Sequence, residues 1–345
     1  MAIAGSESPW ARTTSPNEMA SGSRQRGSGH GRDCRAARLW LTAPATASAN
    51  EATQMWEKHF GLRERIFTPA FDQQLPLLPT QMVAQQQLLE TLEDGHGTVL
   101  LIGEAGTGKT RLALTLATNL RGRRTVLWMP PGVPGNIAAF YQSLLFDLDL
   151  PWQVASDFES PLITNSLRLR LVEWLVSQQQ AGGRVLIIAD AVQHWPDAVL
   201  QEWEHLLAVA AGQPGSMQVL LVARPDLLPR LEREPLLNWA ESIGYCVWLE
   251  PLDPMQCREH LHHLAQRAGL SWPRLFDDEA TQLLIDACQG IVRRLHHAAA
   301  RALALAFLHS KRRVDAEILM ATLEELGLVN NALSEDDQLP DSSAA

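Results

Sequence analysis

Short uninterrupted apolar runs recur along the middle of the chain and alternate with longer stretches of helical spacing. Five of these runs are strand candidates: TVLLIGE, RTVLWMP, RVLIIAD, MQVLLVAR and YCVWLEP. The stretches between them include NIAAFYQSLLFDL and SLRLRLVEWLVSQQQ, in which apolar residues recur at helical intervals. Continuous apolar strands that alternate with helices are typical of a parallel sheet covered on both faces. The pattern therefore predicts an α/β protein, a three-layer sandwich built around a parallel sheet.

The strand pattern stops after the sequence LEPLDP, and residues 253–330 show helical spacing alone. Four helical stretches follow one another: PMQCREHLHHLAQRAG, DDEATQLLIDACQG, VRRLHHAAARALALAFLHS and VDAEILMATLEELG. We therefore expect a sheet-containing domain over residues 55–252 and a helical domain over residues 253–330. The acidic tail at residues 331–345 is expected to be disordered.

Residues 1–54 differ in composition and periodicity from the rest of the chain. They are rich in Gly, Ser, Ala and Arg and show neither a helical nor a strand period. Such a segment buries too little apolar surface to offset the entropy lost on ordering. We expect it to be a disordered extension, or else translated sequence upstream of a true start at Met55.

Composition narrows the class of protein further. Of the 345 residues, 46% are hydrophobic and 20% are charged, as in ordinary globular proteins, and the formal net charge is -10. This charge argues against a surface built mainly for nucleic acid, although a local basic patch is compatible with it. The four cysteines have no CxxC spacing, so they indicate neither a zinc site nor a disulfide framework. We expect a cytoplasmic protein.

The stretch GEAGTGKT fits the phosphate-binding pattern G-x-x-x-x-G-K-[ST] and lies between a predicted strand and a predicted helix. Gly106 and Gly108 permit backbone angles that aim successive N–H groups at phosphate oxygens, and the positive end of the following helix faces the anion. Lys109 is predicted to neutralise the β- and γ-phosphates, and Thr110 to ligate Mg²⁺. We predict ATP and Mg²⁺ as cofactors. The residues predicted to bind the nucleotide are Gly103, Glu104, Ala105, Gly106, Thr107, Gly108, Lys109, Thr110 and Arg111.

A second acid follows another buried strand. Asp190 ends the run RVLIIAD and is predicted to hold Mg²⁺ together with Thr110. In many nucleotide-hydrolysing proteins the next residue is a glutamate that orients the attacking water, but here it is Ala191. Gln193 is the nearby polar side chain predicted to orient that water weakly.

Together these motifs resemble the AAA+ ATPases of the general secretion pathway protein A (ExeA/GspA) type, with relatives in pilus biogenesis and, more distantly, the TniB transposition proteins. The resemblance covers about residues 55–327. It runs through MWEKHFGLRERIF, GEAGTGKT, IIADAVQ, LLVARPDLLPRL, LEPLDPMQCREHLHHLAQRAG and ACQGIVRRLHHAAARAL. It implies an AAA+ P-loop NTPase domain over residues 55–252, a helical lid domain over residues 253–330, and ATP hydrolysis as the family's activity.

The chain departs from this family at residues that serve hydrolysis. The usual Asp-Glu-Ala-Gln is Asp-Ala-Val-Gln at 190–193, and the usual Gly-Gln-Pro is Ala-Arg-Pro at 223–225. A finger-like arginine before the fifth strand is replaced by Glu-Ser-Ile at 241–243. The lid motif Gly-Ile-Pro-Arg is Gly-Ile-Val-Arg at 290–293, so the resemblance still implies that Arg293 senses the γ-phosphate from the lid.

The sequence thus predicts an ATP-binding switch or assembly factor whose hydrolysis is slow or lost. By resemblance, its partners would be further AAA+ subunits, of its own kind or another, and a membrane-associated secretion or pilus component. Such a partner could hold it at the inner membrane. Two alternatives stay open: a TniB-like, DNA-associated regulator of transposition, which a basic face on the lid would support, and an inactive subunit that assembles with an active AAA+ relative.

Overall fold

The computed structural model describes residues 56–67, 76–132, 134–153, 161–210, 212–213 and 215–329. The predictions for residues 1–54 and 331–345 lie outside these ranges. Among the described residues the chain forms two compact units. The sheet unit consists of residues 84–102 and 113–248. The helical unit consists of residues 56–67, 76–83, 103–112 and 249–329. No helix in these ranges is both long and apolar enough to cross a membrane.

A five-stranded, all-parallel sheet forms the centre of the sheet unit, which confirms the predicted α/β fold class. The strand order is β2-β3-β4-β1-β5. Every residue of β1, β3 and β4 is buried, because these central strands are covered on both faces. The edge strand β5 is more exposed. The strands are β1 (Thr98–Ile102), β2 (Thr125–Met129), β3 (Val185–Asp190), β4 (Met217–Ala223) and β5 (Ile243–Trp248).

Helices connect the strands, as the apolar spacing predicts. Aromatic residues fill much of the core beside the sheet: Phe140 packs edge-on against Trp203 with ring centroids 4.9 Å apart, and Trp195 stacks on Trp203 at 6.2 Å. Two four-residue helical turns, Leu228–Leu231 and Leu237–Ala240, precede β5. The longer helices are α1 (Pro79–Glu93), α2 (Lys109–Leu120), α3 (Ile137–Asp147), α4 (Pro161–Gln180) and α5 (Asp197–Ala210).

Four helices after β5 make up most of the helical unit. They are α6 (Pro254–Arg267), α7 (Asp278–Cys288), α8 (Val292–Leu308) and α9 (Ala316–Glu325). Three of them begin at an aspartate whose carboxylate accepts from a backbone N–H of the first turn, namely Asp253, Asp277 and Asp315. Trp272 stacks on Phe276 with centroids 4.3 Å apart inside their apolar core.

Candidate nucleotide-binding site

The phosphate-binding loop requires glycine at three positions. It follows β1 directly and leads into α2. Gly106 and Gly108 have φ of +97° and +99°, a region that residues with a side chain rarely adopt. At Gly103 the limit is space, because an added Cβ would lie 2.5 Å from the carbonyl oxygen of Leu249. The glycines of the motif are therefore explained by the local backbone and its close packing.

Donors from within the loop hold its first carbonyl groups. Lys109 Nζ donates to the carbonyl oxygens of Gly103 at 2.7 Å and Glu104 at 2.8 Å. The oxygen of Glu104 also accepts from the hydroxyl of Thr107 at 3.0 Å and from its backbone N–H at 3.3 Å. The lysine side chain thus lies along the loop, and the ammonium group is placed beside its opening residues.

The later carbonyl groups of the loop are held by residues from elsewhere in the helical unit. The carbonyl oxygen of Gly106 accepts from the backbone N–H of Arg293 at 3.1 Å. The carbonyl oxygen of Thr107 accepts from the side-chain amide of Gln81 at 3.2 Å. A Cβ on Gly106 would lie 2.8 Å from that of Arg293, so α8 begins directly against the loop.

The hydrogen bonds to the loop carbonyls orient two backbone N–H groups of the loop so that they can bind an anion. In a trans peptide the N–H points opposite to the preceding C=O. Because the carbonyls of Glu104 and Thr107 are engaged, the N–H groups of Ala105 and Gly108 point away from those donors. Among the described residues neither N–H donates to a backbone carbonyl. Amide donors at the start of α2 fit the phosphate groups of a nucleotide.

The second predicted acid lies at the same edge of the sheet from which the loop departs. Asp190 is the last residue of β3, is 3% exposed and pairs in register with Val222 of β4. Ile102, the last residue of β1, pairs with Ala223 on the other side of β4. Each of the two predicted metal ligands, the carboxylate of Asp190 and the hydroxyl of Thr110, is of the hard oxygen type that Mg²⁺ prefers.

Ala191 has a left-handed backbone, with φ 60° and ψ 37°. For an L-residue with a Cβ this conformation costs about 1–2 kcal/mol. The sequence indicates the missing carboxylate at this position but gives no sign of the backbone strain.

The side-chain oxygen of Gln193 is already engaged. It accepts from the backbone N–H of Arg224 at 3.3 Å, while the carbonyl oxygen of Gln193 accepts from Arg230 at 2.6 Å. The guanidinium of Arg224 forms an exposed ion pair with Asp226 at 2.5 Å. Gln193 therefore joins the turns that follow β3 and β4, and its water-orienting role stays a prediction.

Another buried carboxylate of the sheet unit, that of Glu202, is bound to neighbouring side chains. Glu202 contacts Arg168 at 2.8 Å and accepts from the hydroxyl of Tyr141 at 2.5 Å. Burial and the hydrogen bond to Glu202 raise the pKa of Tyr141 above its ordinary value. This carboxylate pairs with the half-buried Arg168, so it does not replace the one absent at position 191.

Three residues near the loop were not identified from the sequence. Gln81 is one, and its place near the start of a Pro-initiated helix is the signal that could have found it. His260 of α6 and His296 of α8 are the others, with Nε2 atoms 2.7 Å apart and rings stacked at 5.0 Å. Burial lowers their pKa values to about 3 and about 4, with a further contribution from Arg111. The sequence shows adjacent histidines, whereas the fold pairs histidines from different helices.

Comparison with known proteins shows which proteins this chain is similar to. The family model described as an AAA domain matches residues 92–231. General secretion pathway protein A of Aeromonas hydrophila is 28% identical over 280 residues, which cover 79% of this chain and 49% of that protein. The chain therefore spans about half the length of this curated relative.

Solved structures support the fold. Cdc6p of Pyrobaculum aerophilum gives a TM-score of 0.58 at 17% identity, covering 75% of this chain and 70% of that one. The ORC2 protein of Aeropyrum pernix, in ADPNP–ADP complexes, gives a TM-score of 0.52 at 17% identity. The match covers 77% of this chain and 72% of that one. Taken together with the phosphate-binding loop and the parallel sheet, these comparisons show an AAA+ P-loop fold, and the chain is similar to general secretion pathway protein A.

Proposed function

We propose that the protein binds ATP–Mg²⁺ and acts as a nucleotide-dependent switch whose hydrolysis is weak or absent. One observation supports this most directly. The carbonyl groups of Glu104 and Thr107 are engaged and the N–H groups of Ala105 and Gly108 point away from their donors, while position 191 carries a methyl group where a carboxylate would be needed. The proposed site thus retains the groups for binding and lacks one for bond cleavage.

Binding is assigned to residues 103–111, with distinct roles within the loop. Backbone N–H groups, including those of Ala105 and Gly108, donate to phosphate oxygens. Lys109 contributes a positive charge, and Thr110 and Asp190 hold Mg²⁺, which when bound screens the charge of the phosphates. The A. pernix ORC2 structure, in ADPNP–ADP complexes, supports a nucleotide role for this fold. The proposed nucleotide-binding domain is residues 55–252, and the proposed lid domain is residues 253–330.

Hydrolysis is proposed to be slow for two reasons. A positioned general base contributes roughly 10²–10⁴-fold to such a reaction, and an arginine finger roughly 10³–10⁵-fold. Ala191 cannot act as the base, and the side-chain oxygen of Gln193 already accepts one hydrogen bond, from the backbone N–H of Arg224. The segment Glu241–Ile243 carries no arginine. These losses need not multiply, because groups that act together are not additive.

Arg293 is proposed to couple the nucleotide to the lid. Its backbone already bonds to Gly106, and its side chain is exposed at the start of α8. A guanidinium there can pair with a terminal phosphate that ATP has and ADP lacks. ATP would then favour a different lid state, or a different subunit contact, than ADP does.

The resemblance to general secretion pathway protein A favours a partner in an envelope secretion or pilus machine, reached from the cytoplasmic side, and assembly with AAA+ subunits. The structure offers less support for a DNA-associated role. Arg301 of the predicted basic lid face pairs with Glu325, and Lys311 pairs with Asp315 and Glu317. Acids of the lid thus neutralise part of the charge that DNA would need. The role of an inactive partner subunit stays compatible with the missing carboxylate.

The test combines binding and turnover on the full chain. Isothermal titration calorimetry with MgATP should show one site per chain, and phosphate release at saturating MgATP should stay near the background rate. Lys109→Ala should abolish the binding heat. If the wild type shows no binding, the proposed function is wrong. If the wild type binds MgATP and hydrolyses it rapidly, the binding proposal stands and the proposal of a switch with weak or absent hydrolysis is wrong.

A further inference from the structure

Gln81 is a buried amide at the start of α1. It is 1% exposed and is the third residue of a helix that begins at Pro79. Its Oε1 accepts from the backbone N–H of Leu78 at 3.2 Å. A glutamine at this position that reaches back to the N-cap N–H is one half of a capping box. The cap also fixes which end of the amide is oxygen, because the N–H of Leu78 requires an acceptor.

The other end of this amide contacts the phosphate-binding loop. Gln81 Nε2 donates to the carbonyl oxygen of Thr107 at 3.2 Å. It also lies against Gly108, where a Cβ would overlap it. The amide nitrogen therefore covers the peptide that joins these two loop residues, and a Cβ at Gly108 would have to displace it.

This contact sets the direction of one phosphate donor. The carbonyl of Thr107 and the N–H of Gly108 belong to the same planar trans peptide and point in opposite directions. While Gln81 holds the carbonyl, the N–H of Gly108 stays directed away from α1. Without Gln81 the peptide can rotate, because glycine restricts its neighbouring torsions least.

We propose that Gln81 is a positioning residue for nucleotide binding: it fixes the Thr107–Gly108 peptide and thereby the affinity for the phosphates that ATP and ADP share. This inference rests on the proposed nucleotide-binding function. Loop N–H groups cradle the α- and β-phosphates in proteins with this motif. The loss of Gln81 should therefore weaken both nucleotides alike, in contrast to the loss of a γ-phosphate contact.

Two variants separate this role from helix capping. Gln81→Glu keeps an oxygen for the N–H of Leu78 but cannot donate to Thr107. Gln81→Ala removes both contacts and adds no charge. Gln86→Ala is the matched control, since Gln86 is an exposed glutamine of the same helix that contacts Glu90. Affinities for MgATP and MgADP are measured by calorimetry at a temperature where thermal unfolding shows every variant to be folded.

We expect both Gln81 variants to bind MgATP and MgADP about fivefold more weakly, with the ATP-to-ADP ratio unchanged, because a neutral hydrogen bond contributes about 1 kcal/mol, a factor of about five in affinity. Gln86→Ala should bind as the wild type does. Wild-type affinity in both Gln81 variants would overturn the inference, and so would a loss confined to Gln81→Glu, which would reflect the buried charge. A wild-type chain that binds neither nucleotide would refute the proposed function itself.

Discussion

The backbone N–H of Arg293 donates to the carbonyl oxygen of Gly106 at 3.1 Å, so the first turn of α8 is bonded to the phosphate-binding loop by main-chain atoms. This bond does not depend on the arginine side chain. A substitution at residue 293 can therefore remove the guanidinium while it leaves the contact between α8 and the loop in place.

Arg293→Ala should discriminate between nucleotides. We expect MgATP affinity to fall at least tenfold while MgADP affinity changes less than twofold, since a charged hydrogen bond contributes about 1.5–3 kcal/mol and only ATP has the γ-phosphate. Calorimetric titration measures both constants. Arg294→Ala, at the exposed neighbouring position, is the control and should bind both nucleotides normally. Equal losses for ATP and ADP in Arg293→Ala would contradict the assigned role.

Gly106→Ala should destabilise the chain more than a comparable change elsewhere. Gly106 combines a φ of +97° with contact distances of 2.8 Å to Arg293 and 3.0 Å to Ile291 from an added Cβ. Gly122 has φ +88° and nothing within 4 Å, so Gly122→Ala measures the backbone strain alone. We expect Gly122→Ala to lower the free energy of unfolding by about 1–2 kcal/mol, and Gly106→Ala to lower it by about 1–3 kcal/mol more.

Urea unfolding measures both free energies, and nucleotide titration supplies a second comparison. Gly106→Ala should also lose MgATP binding, whereas Gly122→Ala should retain it. Equal destabilisation by the two substitutions would mean that the loop moves away from α8 at little cost.

Ala191→Gly should stabilise the sheet unit. Glycine relieves the left-handed strain of about 1–2 kcal/mol but loses more chain entropy, so we expect a net gain of about 0.5–1 kcal/mol. Ala208→Gly is a control with the opposite expected sign. Ala208 is exposed in α5, where glycine should lower the free energy of unfolding by about 0.5–1 kcal/mol. Urea unfolding decides the sign, and destabilisation by Ala191→Gly would refute the strained backbone at this residue.

The stacked pair of His260 and His296 predicts loss of stability in acid. Their folded pKa values, about 3 and about 4, lie below the unfolded value near 6.5. Unfolding therefore takes up protons below pH 6.5: stability is complete above that pH and declines as the pH falls toward 4. The decline approaches about 1.4 kcal/mol per pH unit for each histidine.

Unfolding free energies between pH 7.5 and 4.5 test this decline. The double variant His260→Leu with His296→Leu should show a much shallower pH dependence. His297→Gln, at an exposed position on α8, should keep the wild-type slope. Identical slopes in all three proteins would exclude the pair as the source.

Local patterns in the sequence predicted the strands and the loop, because a buried parallel strand and a glycine-rich turn are defined by neighbouring residues. Arg293 was assigned from its family motif. The contact of Gln81 with Thr107 and that of His260 with His296 join residues 26 and 36 positions apart, and no periodicity encodes them. The left-handed Ala191 could not be predicted either, since alanine has no local preference for that conformation.

Turnover by MgATP-saturated full-length protein tests the central claim most directly. Phosphate release is followed at a nucleotide concentration that calorimetry shows to fill the site, with Lys109→Ala as the blank. The account predicts a wild-type rate within a few-fold of this blank, and an Ala191→Glu rate at least tenfold higher, because a carboxylate base is restored. Wild-type turnover of about one per second or faster that Lys109→Ala abolishes would contradict it.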